Sequence, residues 1–342
     1  MTSLRSESDT KLEVLDLRLV RGERTQTRMR VHELADGSWV EIPVVVLRGS
    51  KPGPVFYLGA AFHGDEINGV ELVNRFSRSI DLRTLRGTII LVPVQNPLAF
   101  QIQHRYSFGH FLKSPMDMSP ADPWHCFPGD AHGHMASIHA HVVFQNLMQH
   151  ADYVIDVHTP TTGGRYAPFA FLPPTRLATA NKEAEELATA FGADFILSTN
   201  EGVYVQEPTP HVFMAKRGAI AMGIEVGEGG RLEEEVTVRG VQGLANVFRK
   251  IGMIDDDNYH AIGRRLVITA MTIVRAGRGG LLHRKVELNQ EVAEGEVIAT
   301  ITDIFGEVVE QIRAPHAGPV VRIVTFPIVS AGERVVHLGV PR

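Results

Sequence analysis

The chain carries a short polar motif between two patterns that predict different secondary structure. Residues 55–62 form an apolar run typical of a buried strand. Apolar side chains then recur at the spacing of one helical face, at Ile67, Val70, Val73 and Phe76. The motif between them is His63-Gly64-Asp65-Glu66. The pattern predicts a strand–turn–helix unit in which His63 and Glu66 can face one point above the carboxyl end of the strand.

Strand-like and helical patterns alternate through the following part of the chain. The predicted strands are 55–61, 87–94, 153–157, 167–172 and 219–226. The predicted helices are 66–80, 135–149, 176–191 and 240–251. This alternation is typical of an α/β fold, and we expect a mixed, mostly parallel central sheet flanked by helices. Such sheets bind ligands beyond the carboxyl ends of their strands. Four polar residues fall at such ends: His63, Asn96, His158 and Glu225.

The α/β part spans 41–262. Three segments have other sequence patterns: one before this part, one within it and one after it. Residues 1–40 are predicted to form strands that pack on the core. Residues 100–134 are rich in turn formers and predict a loop that covers the site. Residues 263–342 predict a small all-β domain, and two loose half-repeats within it resemble the barrel of biotinyl and lipoyl carrier domains. Ile304 stands near the place of the Lys that carriers modify, so we expect a structural or assembly role instead.

Composition excludes several classes of protein. The chain has 342 residues, of which 44% are hydrophobic, and this is enough for a large packed core. A net charge of −5 argues against nucleic acid as a partner. No apolar run approaches the roughly 20 residues of a membrane helix, and no signal peptide is visible. A single cysteine, Cys126, excludes an intrachain disulfide framework. We expect a cytoplasmic protein without a membrane or nucleic-acid partner, and a homo-oligomer is left open.

A metal site is the most specific chemistry that the motifs predict. His-x-x-Glu alone is more often a helix-capping pair than a pair of ligands. The apolar run 153–157, however, ends on His158, so a second histidine falls at a strand end. Two histidines and one carboxylate are a common ligand set of catalytic zinc, with the fourth position open to water. We therefore expect one zinc per chain, held by His63, Glu66 and His158.

Two acidic residues are candidates to support this metal. Asp156 shares a strand face with His158, because side chains alternate, and can orient a ligand from behind. Glu225 lies within an apolar strand pattern, where an acidic side chain is costly to bury without a partner or a role. We expect Glu225 to be the general base that takes a proton from the attacking water. A structural, salt-bridged Glu225 and a catalytic role for Glu228 remain alternatives.

At this point the chain resembles the succinylglutamate desuccinylase/aspartoacylase family over about residues 40–340. The segments that carry the resemblance are His63-Gly64-Asp65-Glu66, 87–97, Asp156-Val157-His158 and Glu225-Val226-Gly227. The resemblance implies a zinc-carboxypeptidase-like core at 41–262 and a small β domain after it. It also implies cleavage of the amide bond of a small N-acyl amino acid or amine, with Glu225 as the catalytic glutamate.

The substrate pocket departs from the family pattern. The family usually has Asp-Leu-Asn-Arg before Phe-Pro-Gly, whereas this chain has Trp124-His125 where Asn-Arg is usual. We expect Asn96, Arg105 and His125 to contact substrate, with Arg105 as a bidentate carboxylate clamp. A solvated surface position for Arg105 is the alternative. Loss of a guanidinium predicts a less anionic substrate, or one with an apolar or bulky group. A peptide carboxypeptidase and a metal- or metabolite-binding relative with weak turnover are the competing functions.

Overall fold

The computed structural model describes residues 13–14, 17–107, 122–256, 258–260 and 262–342. Part of the predicted loop 100–134, namely 108–121, lies outside the described residues. The helices are α1 (Ile67–Ser79), α2 (Pro97–Gln101), α3 (Met135–Val143), α4 (Ala178–Phe191), α5 (Pro210–Lys216) and α6 (Glu234–Lys250). A π-helical turn, Phe144–Met148, continues α3, and short 3-10 turns lie at Pro123–His125 and Val203–Val205. The predicted helix 240–251 therefore begins earlier than its pattern indicated.

The strands divide into those before and those after α6. Before it lie β1 (Glu13–Val14), β2 (Leu17–Arg18), β3 (Glu23–Glu33), β4 (Trp39–Arg48), β5 (Lys51–Ala60), β6 (Arg86–Val92), β7 (Tyr153–His158), β8 (Gly164–Phe171), β9 (Phe195–Leu197) and β10 (Ile220–Glu228). After it lie β11 (Leu266–Arg275), β12 (Gly280–Arg284), β13 (Glu291–Val292), β14 (Val297–Thr302), β15 (Val308–Arg313), β16 (Gly318–Val324), β17 (Ile328–Val329) and β18 (Arg334–Pro341).

One 12-stranded sheet organises the molecule, in the order β13-β16-β18-β11-β9-β8-β10-β7-β5-β6-β4-β3. Parallel pairing joins β6, β5, β7 and β10, and also β8, β9 and β11. The other pairings in the sheet are antiparallel. The fold is thus α/β with a mixed sheet, and the prediction of mostly parallel pairing is wrong for the sheet as a whole. Short connections explain this, because the turn 159–163 between β7 and β8 is too short for a parallel crossover.

The strands after α6 do not stand apart from this sheet. β11 runs parallel to β9, while β16 pairs with both β18 and β8. These pairings close β8, β9, β11, β18 and β16 into a ring. The closure places Arg322 of β16 directly opposite Tyr166 of β8 and next to His337 of β18. Side chains from the end of the chain therefore reach the edge of the α/β core.

Alternation along the parallel strands sends apolar side chains to both faces of the sheet. On one face, Phe56 stacks against Phe248 of α6 at 4.4 Å, and Phe248 packs on Phe76 of α1 at 4.8 Å between ring centroids. Burying each such side chain contributes roughly 1.5–3 kcal/mol. These contacts fix α1 against β5, and so fix Glu66 at its amino terminus. The opposite face packs α3 and α5, and it carries the polar site.

A separate four-stranded sheet, β15-β14-β12-β17, packs against the closed ring around a third apolar core. Ile304 lies in the tight turn between β14 and β15 and is 85% exposed. The division of the chain at 262/263 stays a prediction. In the part of the chain that the structure describes, no helix has the length and apolar character that crossing a membrane requires.

Candidate active site

Backbone contacts hold the turn after β5 in place. Ala61 adopts a left-handed conformation with φ 51°, which turns the chain sharply at the strand end. The backbone N–H groups of Gln95 and Asn96 donate to the carbonyls of Ala60 and Ala61 at 2.8 and 2.9 Å. A Cβ on Gly64 would lie 1.9 Å from the carbonyl oxygen of Ala99, so only glycine fits there. The turn therefore holds His63 and Glu66 in one fixed, buried arrangement.

His63, Glu66 and His158 come together at the carboxyl ends of β5 and β7. One ligand atom from each residue lies within 4.8 Å of the others. His63 Nδ1 is 2.6 Å from Glu66 Oε1, and His158 Nδ1 is 2.8 Å from Glu66 Oε2. All three residues are buried. The sequence-predicted set of ligands is therefore assembled around one point, and we call these three residues the triad.

Each histidine of the triad is also bound from behind by a second carboxylate. His63 Nε2 lies 3.0 Å from Asp122 Oδ2, and His158 Nε2 lies 2.7 Å from Asp156 Oδ2. Ionised carboxylates only accept hydrogen bonds, so both Nε2 atoms must carry the proton. When a ring is neutral, its lone pair is therefore on Nδ1, the atom that faces Glu66. Carboxylate-bound histidines of this kind are typical of metal sites.

The charges of the triad fit a cation. Burial lowers the pKa of both histidines, but the carboxylates of Glu66, Asp122 and Asp156 outweigh it and raise the pKa of His63 and of His158. Burial raises the pKa of Glu66, yet the two histidines bring it down to about 2. Without a metal, each ring needs two protons to satisfy the carboxylates on its two sides. A cation satisfies the same carboxylates with neutral rings, so the donor set fits a metal ion.

Asp156 is the centre of a buried hydrogen-bond network behind the triad. Its Oδ1 accepts from Gln95 Nε2 at 2.8 Å, and its Oδ2 accepts from Trp124 Nε1 at 2.8 Å. Tyr57 in turn donates to Gln95 Oε1 at 2.5 Å. Trp124 thus uses its one side-chain donor, the indole N–H, to hold Asp156.

Glu225 lies beside the triad because β10 runs parallel to β7. The register pairs Glu225 with His158, and both side chains point to the same face of the sheet. Glu225 is 6% exposed, and its Oε1 accepts from the Tyr204 hydroxyl at 2.9 Å. Its Oε2 has no hydrogen-bond partner among the described residues. Burial, and then the negative charge of Glu66, raise the pKa of Glu225 to about 7.

Glu228, the alternative base, has other contacts. Its Oε1 accepts from the Thr325 hydroxyl at 2.8 Å, and its backbone N–H donates to Glu233. It therefore ties the end of β10 to the segment that follows β16. Asp65 of the first motif also has a structural contact, since its Oδ2 accepts from the backbone and the hydroxyl of Thr162.

The three predicted substrate contacts lie in different surroundings. Arg105 lines the cavity above the triad, 3.3 Å from Asp122 Oδ2 and 3.8 Å from Glu66 Oε1. His125 also lines the cavity, and burial lowers its pKa, which keeps the ring neutral near pH 7. Asn96 caps α2, with its Oδ1 accepting from the Ala99 N–H at 3.2 Å, and it is not a lining residue. Its contact with substrate stays a prediction.

Cys126 follows His125 and is not placed as a nucleophile. Its thiol donates to the carbonyl of Asp122 at 3.2 Å, and burial raises its pKa to about 11. The thiol is therefore protonated at neutral pH.

The cavity has a volume of about 390 Å³, and part of its wall comes from the end of the chain. Tyr166, Tyr204, Arg322 and Arg334 line it together with Glu225 and the triad. Tyr166 lies 3.3 Å from Tyr204 between hydroxyl oxygens. Sequence reasoning missed Asp122, Tyr204 and the two arginines. Asp122 stands two residues before Trp124 and could have been noticed, whereas no local pattern marks the others.

Comparison with known proteins identifies relatives of this chain. Residues 52–251 match the family model of the succinylglutamate desuccinylase/aspartoacylase catalytic domain. N-alpha-acetyl-L-2,4-diaminobutyric acid deacetylase of Halomonas elongata is 27% identical over 277 residues, which cover 79% of this chain and 77% of that protein.

Solved structures show the same fold. The crystal structure of a succinylglutamate desuccinylase/aspartoacylase from Rhodobacter sphaeroides has a TM-score of 0.79 and 23% identity, covering 96% of this chain and 99% of that one. The product-bound ectoine utilization protein EutE (DoeB) of Ruegeria pomeroyi has a TM-score of 0.79 and 21% identity, covering 95% and 97%. Since the family model spans more than half of its length, the chain belongs to the succinylglutamate desuccinylase/aspartoacylase family.

Proposed function

We propose that this chain is a zinc-dependent deacylase that cleaves the amide bond of a small N-acyl amino acid or N-acyl amine. The observation that carries the proposal is the register of β7 and β10, which places Glu225 beside His158 in the cavity that contains the triad. A cation-binding cluster and a partly unpaired carboxylate in one cavity are what water-mediated amide hydrolysis requires.

In this proposal His63, Glu66 and His158 hold the metal ion. Two imidazole nitrogens and a carboxylate oxygen are a donor set that suits zinc. When bound, zinc lowers the pKa of the attacking water to about 7 and polarises the acyl carbonyl. Asp122 and Asp156 keep both histidines in the tautomer that directs Nδ1 towards the ion.

Glu225 moves the proton. Its Oε2 has no partner among the described residues and is free to accept a proton from the attacking water. The pKa of about 7 makes it a suitable base near neutral pH, and a cation on the triad favours its ionised form further. The same carboxyl group then gives the proton to the leaving amine. Tyr204 fixes the orientation of Glu225 through the hydrogen bond to Oε1.

The class of substrate is supported by the size and charge of the cavity. About 390 Å³ suits an acylated amino acid better than a long peptide. Strands from the end of the chain form one wall, which favours a small substrate over the carboxypeptidase alternative. The relative from Halomonas elongata is named a deacetylase of an acylated diamino acid. The retained Glu225 speaks against a protein that only binds metal or metabolite.

The test combines metal analysis with a panel of substrates. We expect about one equivalent of zinc and release of free amine from N-acetyl amino acids with one carboxylate and an apolar or cationic side chain. N-acetylaspartate and succinylglutamate should be poor substrates, since neutral His125 cannot replace a guanidinium. Cleavage of peptides in preference to acyl amino acids would support the carboxypeptidase. Full zinc content without amine release would support the binding protein.

A further inference from the structure

The positive charges in the cavity are not equally available to a ligand. Arg105 already faces two carboxylates, those of Asp122 and Glu66. Its charge therefore offsets two carboxylates, one within the triad and one that contacts His63 of the triad. A substrate carboxylate approaching Arg105 would have to compete with these groups and would meet their repulsion.

Arg322 is in the opposite situation. It is only 7% exposed, and its Nη1 has no hydrogen-bond partner among the described residues. No carboxylate among the described residues lies within ion-pair distance of it. Its guanidinium lies over the ring of Tyr166, with 5.9 Å between the guanidinium carbon and the ring centroid. A buried guanidinium without a counter-charge is costly, and a bound anionic ligand would supply the charge that the described residues do not.

The fold holds this guanidinium in place. β16 pairs with β8 so that Arg322 is opposite Tyr166. A Cβ on Gly164 would lie 2.1 Å from Arg322 Nη2, so the glycine leaves room for the side chain. Burial, followed by Arg322 and Arg334, lowers the pKa of the neighbouring His337 to about 2. His337 is therefore neutral and adds no charge, while Arg334 adds a second positive group at the cavity wall.

A chain of contacts links Arg322 to the proposed base. Arg322 packs on Tyr166, the Tyr166 hydroxyl meets that of Tyr204, and Tyr204 donates to Glu225. Arg322 thus lines the same cavity as Glu225 but lies on the Tyr166 side of it, away from the carboxylates of the triad. An N-acyl amino acid needs this arrangement, with its amide at the triad and Glu225 and its carboxylate at a separate cation.

We infer that Arg322 binds the carboxylate of the substrate's amino-acid part and so determines the preference for acyl amino acids over neutral acyl amines. This inference rests on the proposed function of the cavity. A guanidinium recognises a carboxylate through two parallel hydrogen bonds, and Arg322 lines the cavity with no carboxylate of the described residues in ion-pair distance. Arg334, which is exposed, guides the carboxylate into the cavity and holds it less strongly.

The test measures binding without turnover. The zinc-loaded full chain carrying Glu225→Gln is titrated calorimetrically with N-α-acetyl-L-2,4-diaminobutyrate and with its α-carboxamide. We expect the carboxylate to bind at least tenfold more tightly. Adding Arg322→Met should weaken carboxylate binding by roughly 10- to 100-fold, the usual size of a lost charge-assisted hydrogen bond, and change carboxamide binding less than about threefold. Arg322→Lys should keep part of the preference and Arg334→Met most of it, whereas Arg278→Met, a matched control at an exposed position that does not line the cavity, should keep all of it.

Several outcomes overturn the inference. Equal binding of the two ligands before Arg322 is changed, including no binding of either, contradicts it. So does an equal loss for both ligands in Arg322→Met, which would indicate a structural role. If Arg322→Met does not fold, as shown by the lack of a cooperative thermal transition, the inference is judged from two other measurements. These are the carboxylate preference of the Glu225→Gln chain and its partial loss in Arg322→Lys. Because binding is measured, a chain that prefers the carboxylate yet releases no amine would refute the proposed hydrolysis while leaving this inference intact.

Discussion

The side of the cavity built by β5, β7 and the segment around Asp122 differs from the side built by β8, β16 and β18 in how its polar groups are paired. On the first side, both ring nitrogens of His63 and of His158 face carboxylates, and both oxygens of Glu66 face histidines. On the second side, Arg322 Nη1 and His337 Nε2 have no hydrogen-bond partner in the part of the chain that the structure describes. We call these the triad side and the arginine side.

The difference separates two kinds of binding. The ring nitrogens of His63 and His158 and both oxygens of Glu66 are all paired within the chain, and a cation bound there would take the place of the protons on Nδ1. Such preorganised, buried groups suit an ion that stays bound. The arginine side leaves donors unused at a cost that only a ligand offsets. That suits a molecule that enters and leaves with each turnover. Glu225 stands between them, with one oxygen paired to Tyr204 and one free.

The largest expected effect is at the triad side. His63→Ala should remove the bound metal and reduce kcat/KM by roughly three or more orders of magnitude, since the metal supplies several kcal/mol of transition-state stabilisation. Elemental analysis and amine release measure both. His132→Ala changes an exposed loop histidine and is the matched control, with metal and rate unaltered. A full equivalent of metal in His63→Ala would contradict the assignment of the triad.

Glu225→Gln should come next. It keeps the size of the side chain and removes the proton acceptor, so we expect a loss of two or more orders of magnitude in kcat with the metal retained. Glu228→Gln is the control, because Glu228 contacts Thr325 and should cost little in kcat. A near-normal kcat in Glu225→Gln together with a large loss in Glu228→Gln would mean that Glu228, not Glu225, is the general base.

The two sides also differ in how many of their residues could be predicted from the sequence. The triad could be predicted because each ligand stands at the end of a short pattern: His63 and Glu66 between an apolar run and a helical face, His158 at the end of another run. Glu225 was found from an acidic side chain in an apolar strand. Local periodicity is enough for such positions, since the carboxyl ends of parallel strands meet at one edge.

The arginine side depends on pairings that periodicity cannot reveal. Arg322 reaches the cavity only because β16 closes the ring onto β8, and nothing near it in sequence indicates that partner. The pairings of β11 and β16 with β18 also add antiparallel neighbours to the sheet, beside those that short connections such as 159–163 produce. Arg105 shows the reverse problem. Its position near the site was predicted, but its pairing with Asp122 could not be seen in the sequence.

Tyr204 and Glu225 lie between the two sides, and the effect of Tyr204→Phe on the pH dependence of kcat/KM tests their contact. The Tyr204 hydroxyl stabilises ionised Glu225, so its loss should raise the pKa of Glu225 above its present value. The base must be ionised to work, and activity is therefore lost as pH falls through this pKa. We expect the acid limb of the kcat/KM profile to move up by roughly half a unit to one unit, the equivalent of one hydrogen bond, with about three- to tenfold lower activity at pH values well below the limb. An unshifted limb would mean that another group controls it.

The smallest effect we expect is that of Arg105→Ala, and it sharpens the comparison most directly. If Arg105 holds the substrate carboxylate, its removal raises KM for the carboxylate and spares the carboxamide. Its pairing with Asp122 and Glu66 predicts otherwise: both substrates should lose a similar factor, roughly three- to tenfold, because the negative cluster loses a counter-charge. The readout is the ratio of kcat/KM for carboxylate over carboxamide in Arg105→Ala and in Arg322→Met. The ratio should fall only in Arg322→Met. A ratio that falls only in Arg105→Ala would place the carboxylate on the triad side and leave the unpaired guanidinium of Arg322 without a ligand.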